Sequence, residues 1–299
     1  RNEFPARYMR LKVIPASPRG YCHGVVTAMR MAREVAAQAT GPVYMLGYLV
    51  HNEHLTSELE ELGITLIDAD DRLAGLEEVR GGTVIFTAHG IAPAVRELAE
   101  AKGLNCVDTT CSDVESTHAL IVEKVAAGFQ VIYVGRRGHP EALGCLGEAP
   151  DAVHLVQDVA DVQALTIDAP KIAVTTQTTL SVWDTAAVIA AIRARYPKAE
   201  VHNEICPATQ DRQEAVIAAA AEADLVLVVG SSRSSNSRRL VEVTAQRTGK
   251  PAYLVDSTAD INPEWLRGCV TVAVSSGAST PSLLTRDVIR HLEALPATG

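Results

Sequence analysis

The chain has 299 residues, 47% of them hydrophobic, which is enough to bury a large core and by length corresponds to about two domains of ordinary size. Its net charge is −9, from 27 Lys and Arg against 36 Asp and Glu, and no basic block exceeds two residues. That excludes the basic stripe that nucleic acid or an anionic membrane requires, and no apolar run reaches the roughly 18 residues of a membrane span.

A small anion remains allowed as a ligand, because His, Ser, Thr, Asn and backbone N–H groups can hold phosphate. The N-terminus lacks the basic-then-apolar pattern of a secretory signal, so the expected location is the cytoplasm. Residues 1–8, RNEFPARY, read as an appended leader, with Met9 as the natural start.

In chain order, a strand-like run at Leu11 to Ile14 leads into SPRGYCHGV (17–25), which sets Cys22 between two glycines ahead of a helical pattern from Val25 to Ala37. YMLGYLVHN (44–52) is a strand running into His51, VIFTAHG (84–90) one running into His89, and LNCVDTTC (104–111) one ending at Cys111. VIYVGRRGHPE (131–141) brings His139 and Glu141, IAVTTQTT (172–179) Thr178 and Thr179, and AEVHNEIC (199–206) Cys206. LVLVVGSSRSSN (225–236) ends in Ser234, Ser235 and Asn236, and VTVAVSSGAST (270–280) carries Ser279.

β-branched runs alternating with Ala-rich amphipathic stretches predict an α/β fold with parallel sheets. The strand ends also recur in order: a polar end bearing His or Asn, an end of small hydroxyls or His, and an end in cysteine. The third cysteine-ended strand is missing after residue 280 and is supplied by residues 11–22 if the chain closes on itself. Cys22, Cys111 and Cys206, 89 and 95 residues apart, become equivalent. The expected architecture is three similar α/β domains in a pseudo-threefold trefoil: 23–110, 111–205, and 206–290 completed by 10–22. Their strand C-termini would face a common centre, where open α/β sheets bind ligands.

Six cysteines in a chain without secretory features favour reduced thiols, catalysis or metal ligation over disulfides. Three matched thiolates suit an iron–sulfur cubane with one open iron. Zinc with a fourth ligand is the alternative, although the close C-x₂₋₄-C pairs of structural zinc sites are absent. Burial as small apolar side chains is the bland reading, and it is the one expected for Cys106, Cys145 and Cys269, which have no equivalents.

His51, His89, His139, Thr178, Thr179, Ser234, Ser235, Asn236 and Ser279 are neutral donors suited to phosphate oxygens, against the ordinary role of such residues as helix caps. Glu141 is the one carboxylate among the strand ends that bear these polar donors, the cysteine-ended ones aside, and is the candidate general acid, against a reading as a helix-terminal Glu beside the macrodipole.

The motifs SPRGYCHGV, VHN, TAHG, DTTCSDV, GHPE, TQTTLS, EICPATQDRQEAV, GSSRSSNSRRL and SGAST, in this order from Met9 onward, resemble those of the 4-hydroxy-3-methylbut-2-enyl diphosphate reductase family of the non-mevalonate isoprenoid pathway. The resemblance implies a three-domain trefoil around an oxygen-sensitive 4Fe-4S cluster held by Cys22, Cys111 and Cys206, with the substrate hydroxyl at the open iron. It implies diphosphate binding by His51, His89, His139, Ser234, Asn236 and Ser279, with Ser235 beside them. Glu141 would deliver protons, and Thr178 would order the hydroxyl. It further implies ferredoxin or flavodoxin as electron donor and isopentenyl and dimethylallyl diphosphate as products. The chain departs from the family at Thr109 and Ser112, where Ala and Pro are usual, at Cys145 in place of Thr, and at Pro207 in place of a larger residue. These departures bear on cluster stability and rate, because neighbouring groups orient metal ligands.

Overall fold

The computed structural model describes residues 10–297, so the appended leader expected at 1–8 lies outside the described residues. β1 (Lys12–Pro15) and α1 (His23–Gln38) come first. Next come β2 (Val43–Leu46), α2 (Glu53–Glu61), β3 (Ile64–Ile67), α3 (Arg72–Glu77), β4 (Thr83–Phe86), α4 (Pro93–Ala101) and β5 (Asn105–Asp108). A second series follows: α5 (Ser112–Ala126), β6 (Gln130–Val134), α6 (Pro140–Glu148), β7 (Val153–Val156), α7 (Val159–Ala164), β8 (Ile172–Thr176), α8 (Val182–Arg195) and β9 (Glu200–Val201). The last comprises α9 (Pro207–Ala220), β10 (Leu225–Val229), α10 (Ser235–Thr248), β11 (Ala252–Val255), β12 (Thr271–Ser276) and α11 (Ser282–Ala294).

The described strands form three four-stranded sheets, ordered β3-β2-β4-β5, β7-β6-β8-β9 and β11-β10-β12-β1, and every pairing between them is parallel. The three orders are the same order, and the third is completed by the N-terminal strand. The recurring strand ends of the sequence therefore correspond to topological positions: β2, β6 and β10 carry the first type, β4, β8 and β12 the second, and β5, β9 and β1 the third.

Helices cover the sheets because the central strands are apolar on both faces. β8 and β10 are buried at every position. On the first sheet Leu46, Val84 and Phe86 pack against Leu76, Val95, Ala99 and Leu104, each large side chain contributing about 1.5–3 kcal/mol by leaving water. Equivalent clusters surround Ile132, Val134 and Val174 on the second sheet and Leu225, Leu227, Val272 and Val274 on the third.

The chain divides into two compact units. Residues 22–207 hold the first two sheets, and residues 10–21 with 208–297 hold the third.

Candidate active site

Each matched cysteine stands immediately before a helix rather than at a strand end. Cys22 is the N-cap of α1 and Cys111 of α5, and Cys206 precedes Pro207, the first residue of α9. The helix from the Cys22 turn begins at His23, two residues earlier than its apolar pattern predicts. A helix start presents backbone N–H groups without intrahelical partners, which favours negative charge on sulfur.

All three thiols lie in the 22–207 unit. A Cβ on Gly24 would fall 2.6 Å from Cys111 Sγ and 3.9 Å from Cys22 Sγ, so the glycine leaves space between two sulfurs. The Cys206 thiol donates to Asp113 Oδ2 at 2.8 Å. Asp113 in turn lies 3.6 Å from His23 Nε2, which is 3.8 Å from Cys111 Sγ. His23, Cys111 and Asp113 offer ligand atoms within 4.8 Å of one another. Burial pushes the Cys111 thiol up; the backbone N–H groups of Asp113 and Val114 oppose this, while the charges of Asp113 and Cys22 reinforce it. The remaining thiols do not join the group. Cys145 and Cys269 are buried in apolar clusters, and Cys106 is a partly buried neighbour of another.

Glu141 is the second residue of α6, in its first turn as a helix-terminal Glu would be, and is only 1% exposed. Its carboxyl group accepts the Thr178 backbone N–H at 2.7 Å on Oε1 and meets the Thr178 hydroxyl at 3.0 Å on Oε2. Burial raises it to about 7, against the lowering effect of these bonds and of His118, with Asp113 also raising it. At neutral pH the group is poised between acid and base. His139, the N-cap of α6, accepts the Glu141 backbone N–H on Nδ1 at 3.2 Å. A neutral His139 therefore carries its proton on Nε2.

His51, His89 and His139 converge. The rings of His51 and His89 stack with centroids 4.2 Å apart, and His139 meets them edge-on at 5.5 and 5.6 Å. Burial holds His89 well below the ordinary imidazole range, helped by His51, His139 and Arg72, and its shielded Nε2 has no hydrogen-bond partner among the described residues. Asn52, buried beside His51, caps α2 by accepting the Leu55 N–H at 3.2 Å and so fixes where His51 starts. Thr179 takes a structural bond: its hydroxyl oxygen accepts from the Gln177 amide at 2.9 Å, while Gln177 Oε1 accepts the Arg136 N–H at 2.9 Å. Gln177 thus braces the loops carrying His139 and Thr178.

In the other unit, Ser234 caps α10 by accepting the Ser237 N–H at 3.1 Å. Ser235 and Asn236 form its first turn and are 2% and 5% exposed. Ser235 Oγ and both amide atoms of Asn236 have no hydrogen-bond partner among the described residues. Buried polar atoms left in this state point to a polar ligand, and a helix N-terminus favours an anion. A Cβ at Gly230 or Gly277 would lie 2.3 or 2.0 Å from Ser237 Oγ, so these glycines admit the helix start to the ends of β10 and β12. Ser279 lies in the same unit, buried at 8% exposure.

Sequence reasoning missed His23, Asp113, Arg72 and Gln177. His23 and Asp113 sit one and two residues from matched cysteines, and that adjacency was the available signal. Nothing local marks Arg72, whose guanidinium lies where a Cβ on Gly47 would be, 2.1 Å from Nη1.

Residues 13–293 match the family described as LytB protein. The chain belongs to the LytB family. A relative from Symbiobacterium thermophilum named 4-hydroxy-3-methylbut-2-enyl diphosphate reductase is 54% identical over 95% of this chain and 97% of its own. One of the same name from Bacillus pumilus is 50% identical over 95% and 91%. The solved E-1-hydroxy-2-methyl-but-2-enyl-4-diphosphate reductase of Plasmodium falciparum superposes with a TM-score of 0.91 at 33% identity, over 97% of this chain and 90% of that one. As a LytB-family member the chain is an oxidoreductase of isoprenoid biosynthesis.

The departures from the usual LytB motifs have local accommodations. Thr109 is buried and its hydroxyl donates to Phe86 O at 2.6 Å. Ser112 opens α5 where Pro would be preorganised, and its hydroxyl instead lies 3.3 Å from His23 Nε2. Cys145 fills the core beside Tyr133. Pro207 opens α9 with its φ already helical. No described helix is long and apolar enough to cross a membrane.

Proposed function

We propose that this chain reduces 4-hydroxy-3-methylbut-2-enyl diphosphate to isopentenyl and dimethylallyl diphosphate, with a 4Fe-4S cluster on Cys22, Cys111 and Cys206. The observation that carries the reading is Glu141: a buried carboxyl group raised to about 7 and gripped by Thr178, in the same unit as the three thiols. The donor set fits the cluster, since three thiols are the soft ligands iron–sulfur centres take, and Gly24 leaves bare the space beside two of them. When bound, the cluster would supply single electrons and a Lewis-acidic iron.

The reaction consumes two electrons and two protons, breaks the allylic C–O bond, forms a C–H bond and releases water. Glu141 supplies protons, its raised affinity keeping a large fraction of the acid form near pH 7. Thr178 holds the carboxyl group in one orientation and, through its hydroxyl, orders the substrate oxygen. His51, His89 and His139 donate to phosphate oxygens, with His139 presenting Nε2–H. Ser234, Ser235, Asn236 and Ser279 act as further diphosphate donors, with Thr179 contributing its remaining O–H. Electrons would come singly from a ferredoxin or flavodoxin, and six free thiols suit a reducing cytoplasm.

A second reading rests on His23, Cys111 and Asp113, whose mixed N, S and O atoms could hold a single zinc ion in a phosphate-ester hydrolase using Glu141 as base. Anaerobic purification followed by an absorption spectrum, iron and zinc assays and turnover of the diphosphate substrate with a chemical reductant separates the two. Brown, iron-rich, reducing protein supports the reductase. Colourless zinc protein that hydrolyses the ester overturns it.

A further inference from the structure

The reductase reading leaves a question of supply: Glu141 is buried and must be reprotonated at each turnover. The face of α6 that carries it holds three residues in register, Glu141, Gly144 and Glu148, spaced three and four apart, so they align along one side of the helix. His118 of α5 lies over the middle one. A Cβ on Gly144 would be 3.2 Å from His118 Cε1 and 3.3 Å from Nε2. The missing side chain therefore leaves a slot along α6 in which an imidazole sits, with one carboxyl group a turn ahead and another a turn behind.

The ring's other contacts define its state. Nδ1 lies 2.6 Å from Glu148 Oε1, close enough to require a shared proton, and the two side chains are 13% and 14% exposed. Nε2 is buried with no hydrogen-bond partner among the described residues. It rests against Gly90, whose φ of +79° and bare Cα leave room for it; a Cβ there would come within 2.9 Å. Gly90 follows His89, so the ring also touches the turn that carries a proposed diphosphate ligand. On its outer side the pair opens into a cavity of about 320 Å³ that Arg96, Glu97, Asp108 and Glu115 also line. Arg96 there is paired with Asp108. The charge of His118 is one of the influences that pull Glu141 down against burial.

We propose that His118, oriented by Glu148, is the proton relay that recharges Glu141 from the solvent-filled cavity. One proton passes from Nε2–H of the His118 imidazolium to a Glu141 carboxylate oxygen, leaving a neutral ring whose Nδ1–H stays on Glu148. The neutral ring then swings its bare Nε2 toward the cavity, takes a solvent proton there and returns, which restores the imidazolium. No electrons move in this step. Between transfers Glu148 brings the ring back to this orientation by accepting from Nδ1. His118 acts through Glu141 and is a positioning and relay residue for it.

The inference rests on Glu141 being the proton donor, and the test keeps the two apart. His118→Ala, His118→Gln, Glu148→Gln and Glu141→Gln are prepared as the iron-loaded protein, and steady-state turnover is measured at saturating substrate with and without added imidazole. The relay predicts that His118→Ala and His118→Gln lose at least tenfold in turnover while iron content and substrate affinity stay normal. It also predicts that imidazole, which fits the vacated slot, restores His118→Ala in a saturable manner without accelerating the wild type. Carboxyl infrared titration of Glu141 should show its midpoint moving up in His118→Gln, because a neighbouring cation is lost; an unmoved midpoint counts against the relay. Should His118→Ala fail to fold, His118→Gln and Glu148→Gln carry the test through turnover and the infrared midpoint. Wild-type turnover in Glu141→Gln overturns the underlying reading. A slow Glu141→Gln beside a His118→Ala that is fully active, or slow and indifferent to imidazole, overturns the relay alone.

Discussion

Thr178 contacts both oxygens of the Glu141 carboxyl group, donating its backbone N–H to Oε1 at 2.7 Å and placing its hydroxyl 3.0 Å from Oε2. The loop after β8 thereby fixes an acid carried by α6, and the grip survives a change of protonation state because a hydroxyl can donate or accept. Replacing Glu141 by Gln keeps size and much of this bonding and removes the acid. Turnover should fall about 10²- to 10⁴-fold with iron content and substrate affinity near normal, measured by single-turnover rate, iron assay and titration calorimetry. A variant that turns over at the wild-type rate would exclude Glu141 as proton donor.

The same carboxyl group makes stability depend on pH. Its folded value of about 7 lies above the ordinary 4.5, so the folded state holds the proton more tightly than the unfolded chain. The contribution is complete below about pH 4.5 and is lost as pH rises through about 7, amounting to up to about 3 kcal/mol. Urea unfolding of wild type and Glu141→Gln at pH 5 and pH 8 should show the wild type losing more stability across this interval; parallel curves would contradict the burial argument.

Gly24 should be intolerant of the smallest substitution. A methyl group in Gly24→Ala would stand 2.6 Å from Cys111 Sγ, so iron content should fall as far as in Cys111→Ser, where a hydroxyl replaces a soft ligand. Cys22→Ser and Cys206→Ser should behave alike. Cys145→Ser, at a fully buried apolar position, should instead lower thermal stability by about 1–3 kcal/mol and keep its iron. Full iron in Gly24→Ala would separate that glycine from the metal site.

Among the proposed diphosphate donors, Asn236→Ala removes two buried atoms that have no hydrogen-bond partner among the described residues. Losing a donor to a charged oxygen costs about 1.5–3 kcal/mol, or roughly 10- to 150-fold in substrate affinity. His51→Ala should act similarly. Unchanged dissociation constants in both variants, with the metal-site spectrum intact, would count against these residues.

The repeat was legible because parallel strands buried on both faces write themselves as apolar runs, and the residues at their ends stand in fixed topological places. The chain closure through β1 followed from one missing copy. The placement of the cysteines was less legible: β9 is two residues long and Cys22 lies seven residues beyond β1, so what the three share is the residue before a helix. Apolar periodicity does not report that boundary when the first turn is HG or SD. The pairing of His118 with Glu148, 30 positions apart on two helices, and the bracing by Gln177 depend on how helices and loops dock. No spacing in the sequence encodes them.

Among the described strands β1 lies at the edge of its sheet and pairs with β12 alone, with Lys12 opposite Thr271 and Pro15 opposite Val274. During synthesis β1 must wait unpaired until residues 271–274 have been made, and loop closure over such a span is slow. The first two sheets can form from consecutive sequence before residue 271 is made, whereas the third cannot be finished until β12 has been synthesised. A nascent chain stalled or cleaved before residue 271 would leave β1 without its hydrogen-bonding template, and the short turn that follows it toward Cys22 would have no anchor at its start.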